Sequence, residues 1–149
     1  LFLTIWPEYG QNTSGKPQGR FGKYTLLEHI GRGGMADIWL AALKGVEGFR
    51  KPLVLKRILR EHSQRSAFIQ MLIQEAKVCS QLKHNNIVQI FELGQVSGEY
   101  FIAMEYVEGQ DLKQLLIRAT QNRELLSVDT ILFIVHEICS GLHYFGVNA

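Results

Sequence analysis

The sequence predicts an α+β fold in which a five-stranded antiparallel sheet packs against one long helix, and two further helices follow. Three observations support this prediction. Short segments rich in β-forming and apolar residues alternate with glycine-containing turns over the first two thirds of the chain. A single amphipathic segment with helical spacing interrupts them. After about residue 110 the spacing becomes helical again, with a good cap residue in front of each segment.

Each predicted strand is a short run of apolar or β-branched residues bounded by turn residues. Glycines follow the first run, and a turn from Gly94 to Glu99 separates the last two. Residues 1–22 are expected to form a flexible lead-in, because Asn, Ser, Gly and Pro accumulate from residue 7 onward. The five predicted strands are Tyr24–Ile30, Ile38–Leu43, Leu53–Ile58, Ile87–Leu93 and Tyr100–Glu105.

Three helices are predicted, and each has its own pattern. In the segment Gln64–Leu82, apolar residues recur every three or four positions and form one stripe that faces a core. A shorter helix near Leu112–Thr120 is preceded by Asp111, a good N-cap residue. The last helix, capped by Ser127 or Asp129, extends to about Phe145 and is apolar nearly all round, which predicts a buried position. Two of its faces would need neighbours that this chain has little left to supply, so the helix is expected to expose an apolar surface prone to aggregation.

The composition disfavours several classes of function. The chain has 149 residues, a formal net charge of +2 and 46% hydrophobic residues, which suits one soluble globular domain. So small a charge does not support nucleic-acid binding, and no apolar run approaches the roughly 18 residues of a membrane span. Cys79 and Cys139 have neither metal-site nor disulfide spacing, so reduced, buried thiols in a cytoplasmic protein are expected.

A glycine-rich turn at residues 30–38 is the first candidate functional element. Its pattern, Gly31-x-Gly33-x-x-Ala36, lets backbone N–H groups approach phosphates, because glycine has no Cβ to hold them off. Dinucleotide-binding folds use a similar string, but there the glycines join a strand to a helix. The segment Ile38–Leu43 is too short and too strand-like for that helix, so a glycine-rich hairpin fits better. An ordinary hairpin turn without a ligand is the alternative.

Lys56 and Glu75 form the second candidate element. Lys56 lies in an apolar strand, where alternation places it on the same face as Val54 and makes an unpaired ammonium costly to bury. Glu75 lies beside the apolar stripe of the long helix and offers a partner carboxylate. The two charges can satisfy each other while the lysine donates further hydrogen bonds to a phosphate. The alternative is that both side chains extend into water.

These elements, in this order, resemble the eukaryotic-like protein serine/threonine kinases of bacteria. The glycine turn, the Lys56 strand and Glu75 are similar to the family's first three signatures. Residues 82–88, Leu-Lys-His-Asn-Asn-Ile-Val, resemble its Leu-x-His-Pro-Asn-Ile-Val segment, and residues 103–109 resemble its inter-lobe hinge. The resemblance implies an incomplete kinase domain over residues 23–149, with an N-lobe at 23–105, a hinge at 105–110 and the first two helices of a truncated C-lobe at 111–149.

The resemblance also implies a role for each site residue. Lys56 would contact the α- and β-phosphates of ATP, and Glu75 would hold Lys56 in place; these two residues carry the catalytic role. Ile38 and Val54 would cover the adenine, Met104 would be the gatekeeper behind it, and the backbone at the hinge would bind its edge. The implied nucleotide-binding residues are Ile30, Gly31, Gly33, Gly34, Met35, Ala36, Ile38, Val54, Lys56, Met104, Glu105 and Val107.

Three positions depart from the family pattern. Ala36 replaces the third glycine of the turn. Val54 stands where alanine is usual, which would narrow the adenine slot. Asn85 replaces a proline in a segment that is expected to be structural, and no catalytic role is implied for His84.

The implied activity is transfer of the γ-phosphate of ATP to serine or threonine of a protein substrate, with Mg²⁺ expected in the full-length enzyme. The family's catalytic-loop His-Arg-Asp and metal-binding Asp-Phe-Gly are not in this sequence, so the chain alone is expected to be inactive and to provide no metal ligands. A non-catalytic nucleotide-binding or scaffolding module is the alternative. An oxidoreductase is disfavoured, because Lys56 and Arg57 end the strand where an acidic residue would be needed.

Overall fold

The computed structural model describes residues 17–44 and 50–148, which form an antiparallel sheet interrupted and followed by helices. The predicted fold class is confirmed, with one strand and one short helix more than expected. The described elements are β1 (Gly19–Phe21), β2 (Tyr24–Arg32), β3 (Ala36–Lys44), β4 (Arg50–Ile58), α1 (Arg60–Ser63), α2 (Ser66–Gln81), β5 (Ile90–Val96), β6 (Glu99–Met104), α3 (Leu112–Gln121) and α4 (Val128–Asn148).

The sheet contains six described strands in the order β1-β2-β3-β4-β6-β5, and every neighbouring pair is antiparallel. The prediction of five strands was therefore one strand short. The extra strand, β1, falls within the predicted lead-in and pairs Gly19 with Leu26 and Phe21 with Tyr24. Three residues between glycines carry too little alternation to predict a strand. Residues 1–16 of the predicted lead-in lie outside the described residues.

Side chains of the β1–β2 hairpin reach across the curled sheet to β5 and β6. Phe21 packs edge-on against Phe101, with ring centroids 5.5 Å apart. Lys23 forms a 2.7 Å ion pair with Glu92, and Tyr24 donates a hydrogen bond to the same carboxylate. Because β1 and β5 are the two edge strands and β2 lies next to β1, these contacts hold the two sides of the sheet together.

Alternation along β4 divides the core between the two faces of the sheet. Val54 and Ile58 belong to a cluster that includes the buried side of α2, whereas Leu53 and Leu55 belong to a second cluster on the opposite face. The buried members of the first cluster are Ile30, Ala36, Ile38, Leu40, Val54, Ile58, Ile69, Leu72, Ala76, Ile90, Ile102 and Met104. Lys56 shares its face with this cluster, since it lies between Val54 and Ile58.

The predicted boundaries differ from the observed ones by a few residues. The long helix, predicted over Gln64–Leu82, is α2 at Ser66–Gln81. The strand predicted from Ile87 begins at residue 90 and continues through Gly94, which was placed in the following turn. The turn itself consists of residues 97 and 98, and both have positive φ. A glycine can lie inside a strand, so the presence of Gly94 placed the start of the predicted turn three residues too early.

Asp111 and Ser127, the latter one of two cap candidates for the last helix, lie at the starts of their helices. The Asp111 carboxylate accepts a hydrogen bond from the N–H of Gln114 at 2.8 Å at the start of α3. The Ser127 hydroxyl accepts one from the N–H of Thr130 at 3.1 Å at the start of α4. Each bond satisfies a backbone donor that has no partner within its own helix.

Helix α4 is apolar along its whole length and largely exposed. Only Gly141 is buried among its described residues, while Leu132 and Phe133 are 61% and 65% exposed. The exposed apolar surface expected for this helix is therefore confirmed, whereas the buried position that its composition predicts is not reached among the described residues. By length and composition α4 could also cross a membrane. This was not expected from the sequence, because polar residues interrupt its apolar run. One such helix is weak evidence for a span, because core helices of soluble proteins have the same properties.

Both cysteines are free thiols, as their spacing predicts. Cys79 on α2 is half-buried, and burial raises the pKa of its thiol. Cys139 is exposed, so the prediction of two buried thiols was wrong for this residue. Its position on the uncovered face of α4 is the reason.

Candidate functional site

The glycine-rich turn joins β2 to β3 as a hairpin. Gly31 pairs with Ile38, and the N–H of Gly33 donates to the carbonyl of Ala36 at 2.9 Å. Residues 24–44 are described without a gap, and no helix lies between these two strands. The hairpin prediction is therefore confirmed, and the strand-to-helix connection of a dinucleotide-binding fold is excluded.

The tip of the turn, residues 33–35, is held by the residues that follow β4. The N–H of Leu59 donates to the carbonyl of Met35 at 3.0 Å, and His62 Nε2 lies 3.1 Å from the carbonyl oxygen of Gly34. A carbonyl oxygen can only accept, so Nε2 carries a proton in this contact. Sequence reasoning missed Leu59 and His62, because one acts through its backbone and the other is a single histidine in a connecting segment.

Lys56 lies in the interior of the sheet, on the face covered by α2. It pairs with Ile38 of β3 on one side and with Ile102 of β6 on the other. Its side chain is half-buried; burial lowers the pKa of Lys56, and the charge of Glu75 on α2 partly offsets this effect by raising it. The structure therefore brings Lys56 and Glu75 within electrostatic range of each other.

This environment gives Lys56 a specific chemical capacity. An ammonium that has lost part of its hydration gains more from each negative neighbour than one in open water. Glu75 supplies one such neighbour, and the ammonium has three N–H donors. The pair is therefore suited to take up a second anion, such as a phosphate, on the face that also carries the glycine turn.

The residues assigned to the adenine side lie in the first core cluster. Val54 pairs with Leu40 of β3 and with Met104 of β6, and Val54 and Met104 are 0% and 3% exposed. Such side chains are packed against their neighbours, so a base could contact Val54 only if these neighbours moved. The predicted apolar site residues in this cluster are Ile30, Ala36, Ile38, Val54 and Met104.

Glu105 and Val107 of the hinge are exposed, and one of the backbone groups of Glu105 is already bound. The N–H of Glu105 donates to the carbonyl of Gln89 at 2.9 Å, and the Glu105 carboxylate accepts from the N–H of Gln89 at 3.2 Å. A ligand could therefore use the carbonyl of Glu105 but not its N–H. Val107 is 51% exposed, which leaves its surroundings open to a ligand.

A mostly apolar cavity of about 270 Å³ lies beside Met104, between α2, the segment before β5, and α4. Its lining includes Cys79, Ile90 and Leu142. Across residues 17–44 and 50–148, no group of three or more His, Cys, Asp or Glu side chains is arranged to hold a metal ion. The described site thus offers a lysine and backbone groups for phosphates.

A comparison with protein families agrees with this geometry. The family model described as "Protein tyrosine and serine/threonine kinase" matches residues 24–148. That range includes β2 to β6 and all the described helices. The chain belongs to the protein kinase family.

Individual relatives come from bacteria. The tyrosine-protein kinase MasK of Myxococcus xanthus is 38% identical over 83% of this chain, and the serine/threonine-protein kinase PrkC of Bacillus subtilis is 37% identical over 64% of it. The crystal structure of the Mycobacterium tuberculosis PknI kinase domain superposes on 87% of the chain with a TM-score of 0.68 and 26% identity. The chain spans 19% of MasK, 14% of PrkC and 50% of the PknI kinase-domain chain.

Proposed function

We propose that this chain forms the ATP-binding part of a protein kinase, in which Lys56 and the glycine-rich turn hold the phosphates of the nucleotide. The observation that carries the proposal is the position of Lys56. It is a half-buried cation under the influence of Glu75, on the core-facing side of a sheet whose adjacent hairpin is the glycine turn. In a member of the protein kinase family, this is the place for a triphosphate.

The chain's own residues would perform the positioning step of phosphoryl transfer. Lys56 would bind the α- and β-phosphates, and Glu75 would orient Lys56. The turn at 33–36 would cover the phosphates with its backbone, and the carbonyl of Glu105 would accept a hydrogen bond from the adenine edge. Mg²⁺, when bound in the complete enzyme, would neutralise charge on the β- and γ-phosphates. The family's catalytic-loop and Asp-Phe-Gly segments, which would supply its ligands, are not in this sequence.

The substrate class of the complete protein is part of the proposal. Serine or threonine of a protein is the proposed acceptor, supported by relatives such as PrkC and by the chlamydial PknD proteins, which are 30–32% identical over about four fifths of this chain. MasK, which is 38% identical, is named a tyrosine-protein kinase, and this observation favours tyrosine as a second candidate acceptor. Phosphoamino-acid analysis of a substrate labelled by the complete protein distinguishes the two.

A non-catalytic nucleotide-binding or scaffolding module is the alternative function. Retention of both Lys56 and Glu75 argues against a pure scaffold, which needs no such pair. If the complete natural protein binds ATP but transfers no phosphate to serine, threonine or tyrosine, the binding module is the better description.

The decisive experiment measures ATP affinity in the complete natural protein and in two lysine variants. We expect Lys56→Met to weaken ATP binding about 10- to 100-fold, because one or two charge-assisted hydrogen bonds are lost. Lys51→Met is the matched control: Lys51 lies on the same strand, but its ammonium packs over the ring of Phe91, 4.3 Å from the centroid. Equal affinities of the unmodified protein and Lys56→Met would remove Lys56 from the site and overturn the proposal.

A further inference from the structure

Helix α1, at Arg60–Ser63, lies between the glycine turn and the helix that carries Glu75. The segment entering α1 donates the N–H of Leu59 to the carbonyl of Met35 at 3.0 Å. Within α1, His62 Nε2 donates to the carbonyl of Gly34 at 3.1 Å. Two consecutive carbonyls at the tip of the turn are therefore bound from the same side.

The ring of His62 also contacts α2. Its centroid lies 5.4 Å from that of Phe68 in the first turn of α2. Phe68 packs against the first core cluster, and Glu75 follows it seven residues later on the same face of the helix. His62 thus touches both the turn over Lys56 and the helix that holds the partner of Lys56.

The sheet anchors α1 from the other end. Arg60 Nε donates to one oxygen of Glu99 at 2.7 Å, and Arg57 of β4 donates to the other oxygen, also at 2.7 Å. Burial alone would raise the pKa of Glu99, but the hydrogen bonds from the two guanidinium groups outweigh it and lower the pKa. Arg57 in addition lies over the ring of Phe21, 4.4 Å from its centroid. A short helix fixed in this way can restrain what it touches.

We propose that His62 is a positioning residue that holds the tip of the glycine turn over the phosphates of a bound nucleoside triphosphate. The proposal rests on the proposed ATP site and adds the side chain that controls the turn. A glycine-rich segment has a large conformational freedom, and the fixed Gly34 carbonyl restricts it. Space around the tip is otherwise open, since a Cβ built on Gly34 would meet no atom within 4 Å.

The hydrogen bond from His62 to Gly34, rather than the packing of His62 on Phe68, is the contact that would hold the turn. A phenylalanine at position 62 retains an aromatic ring against Phe68 but has no N–H to donate to Gly34. A glutamine has a donor amide on a flexible stem. The variants His62→Phe and His62→Gln therefore separate the bond from the ring.

The experiment measures the affinities of a non-hydrolysable ATP analogue and of adenosine for the complete natural protein and both variants. Adenosine lacks phosphates, so it reports on the adenine side alone. We expect His62→Phe to weaken binding of the ATP analogue about fivefold, the value of one ordinary hydrogen bond, with no change for adenosine. His62→Gln should recover most of the loss.

A second readout needs no nucleotide. The N–H of Gly33 bonds across the turn and that of Leu59 bonds to the turn from the segment after β4, so amide hydrogen exchange at both should be faster in His62→Phe than in the unmodified protein. Unchanged exchange, or an equal loss of affinity for both ligands in His62→Phe, would overturn the role of His62. Absence of ATP binding by the unmodified protein would instead refute the proposed function, so the two failures are distinguishable.

Discussion

The sheet region, β1 to β6 with α2, and the helical region, α3 and α4, contain similar apolar residues but bury them to different degrees. Leu55 and Ile102 in the sheet region are 0% exposed, whereas Ile131 and Leu132 on α4 are 47% and 61% exposed. Each face of the sheet has a cluster of buried side chains, one under α2 and one under the β1–β2 hairpin. The difference shows that burial requires a second packing layer and does not follow from composition alone.

The two regions meet where the segment before β5 crosses α4. The side-chain amide of Asn86 donates to the backbone carbonyl of Glu137 at 3.0 Å and to its carboxylate at 2.6 Å. A Cβ built on Gly141 would lie 3.3 Å from Asn86, so the backbones approach closely here. The contact is polar and local, which orients α4 without covering its apolar sides.

The largest expected difference between the regions is in the response to loss of an apolar side chain. Ile102→Ala should lower the free energy of unfolding by about 2–5 kcal/mol, because it leaves a cavity between packed strands. Leu132→Ala should change it by less than about 0.5 kcal/mol, because this side chain is exposed on α4. Urea denaturation of residues 17–148 and of the two variants measures both values.

A decrease in the free energy of unfolding for Leu132→Ala as large as that for Ile102→Ala would mean that the apolar side of α4 is covered in solution. A small loss at both positions would instead mean that the sheet region is loosely packed, in contradiction to the full burial of Ile102.

Sequence patterns predicted the sheet region well, because alternation and turn residues act locally. Five of the six described strands and the long helix were recognised. The hairpin form of the glycine turn was predicted from the short run after it, and the structure confirms it. The assignments of individual nucleotide-binding residues remain predictions.

What could not be predicted depends on contacts between distant segments. β1 is too short to carry a pattern, and its stability comes from packing of Phe21 on Phe101, which is 80 residues away in the sequence. His62 acts on Gly34 through a hydrogen bond that no spacing rule describes. The exposure of α4 was indicated only in part, since an all-apolar helix does not reveal which of its faces have neighbours.

Replacing a glycine by alanine should change stability in opposite directions in the two regions, and by less than the loss of Ile102. Gly94→Ala should destabilise the protein by about 1–3 kcal/mol, because the new Cβ would lie 2.6 Å from the buried ring of Phe101. Gly146→Ala should stabilise it by about 0.5 kcal/mol, because the position is helical with nothing within 4 Å of the added Cβ. Thermal unfolding of the two variants measures both shifts; a stabilising Gly94→Ala would contradict the packing described around Phe101.

The smallest expected effect is the alkaline dependence of stability that comes from Lys56. The pKa of Lys56 in the folded protein lies below the ordinary value of 10.5. At pH values between the folded-state pKa and 10.5, the unfolded chain therefore binds more protons than the folded protein. As pH rises through this range, Lys56 should increase the free energy of unfolding. Lys56→Met should remove this contribution, and urea denaturation at a series of alkaline pH values measures it. An unchanged dependence would place the Lys56 ammonium in water.

The central claim is that one ammonium lies between the Glu75 carboxylate and a bound phosphate. NMR titration of the Lys56 ammonium tests it most directly, in the unmodified protein, in Glu75→Gln, and with a non-hydrolysable ATP analogue added. We expect a lower pKa of Lys56 in Glu75→Gln, because an anion is removed, and a higher pKa with the analogue, because one is added. A pKa of Lys56 that responds to neither change would mean that its ammonium contacts neither the Glu75 carboxylate nor a bound phosphate.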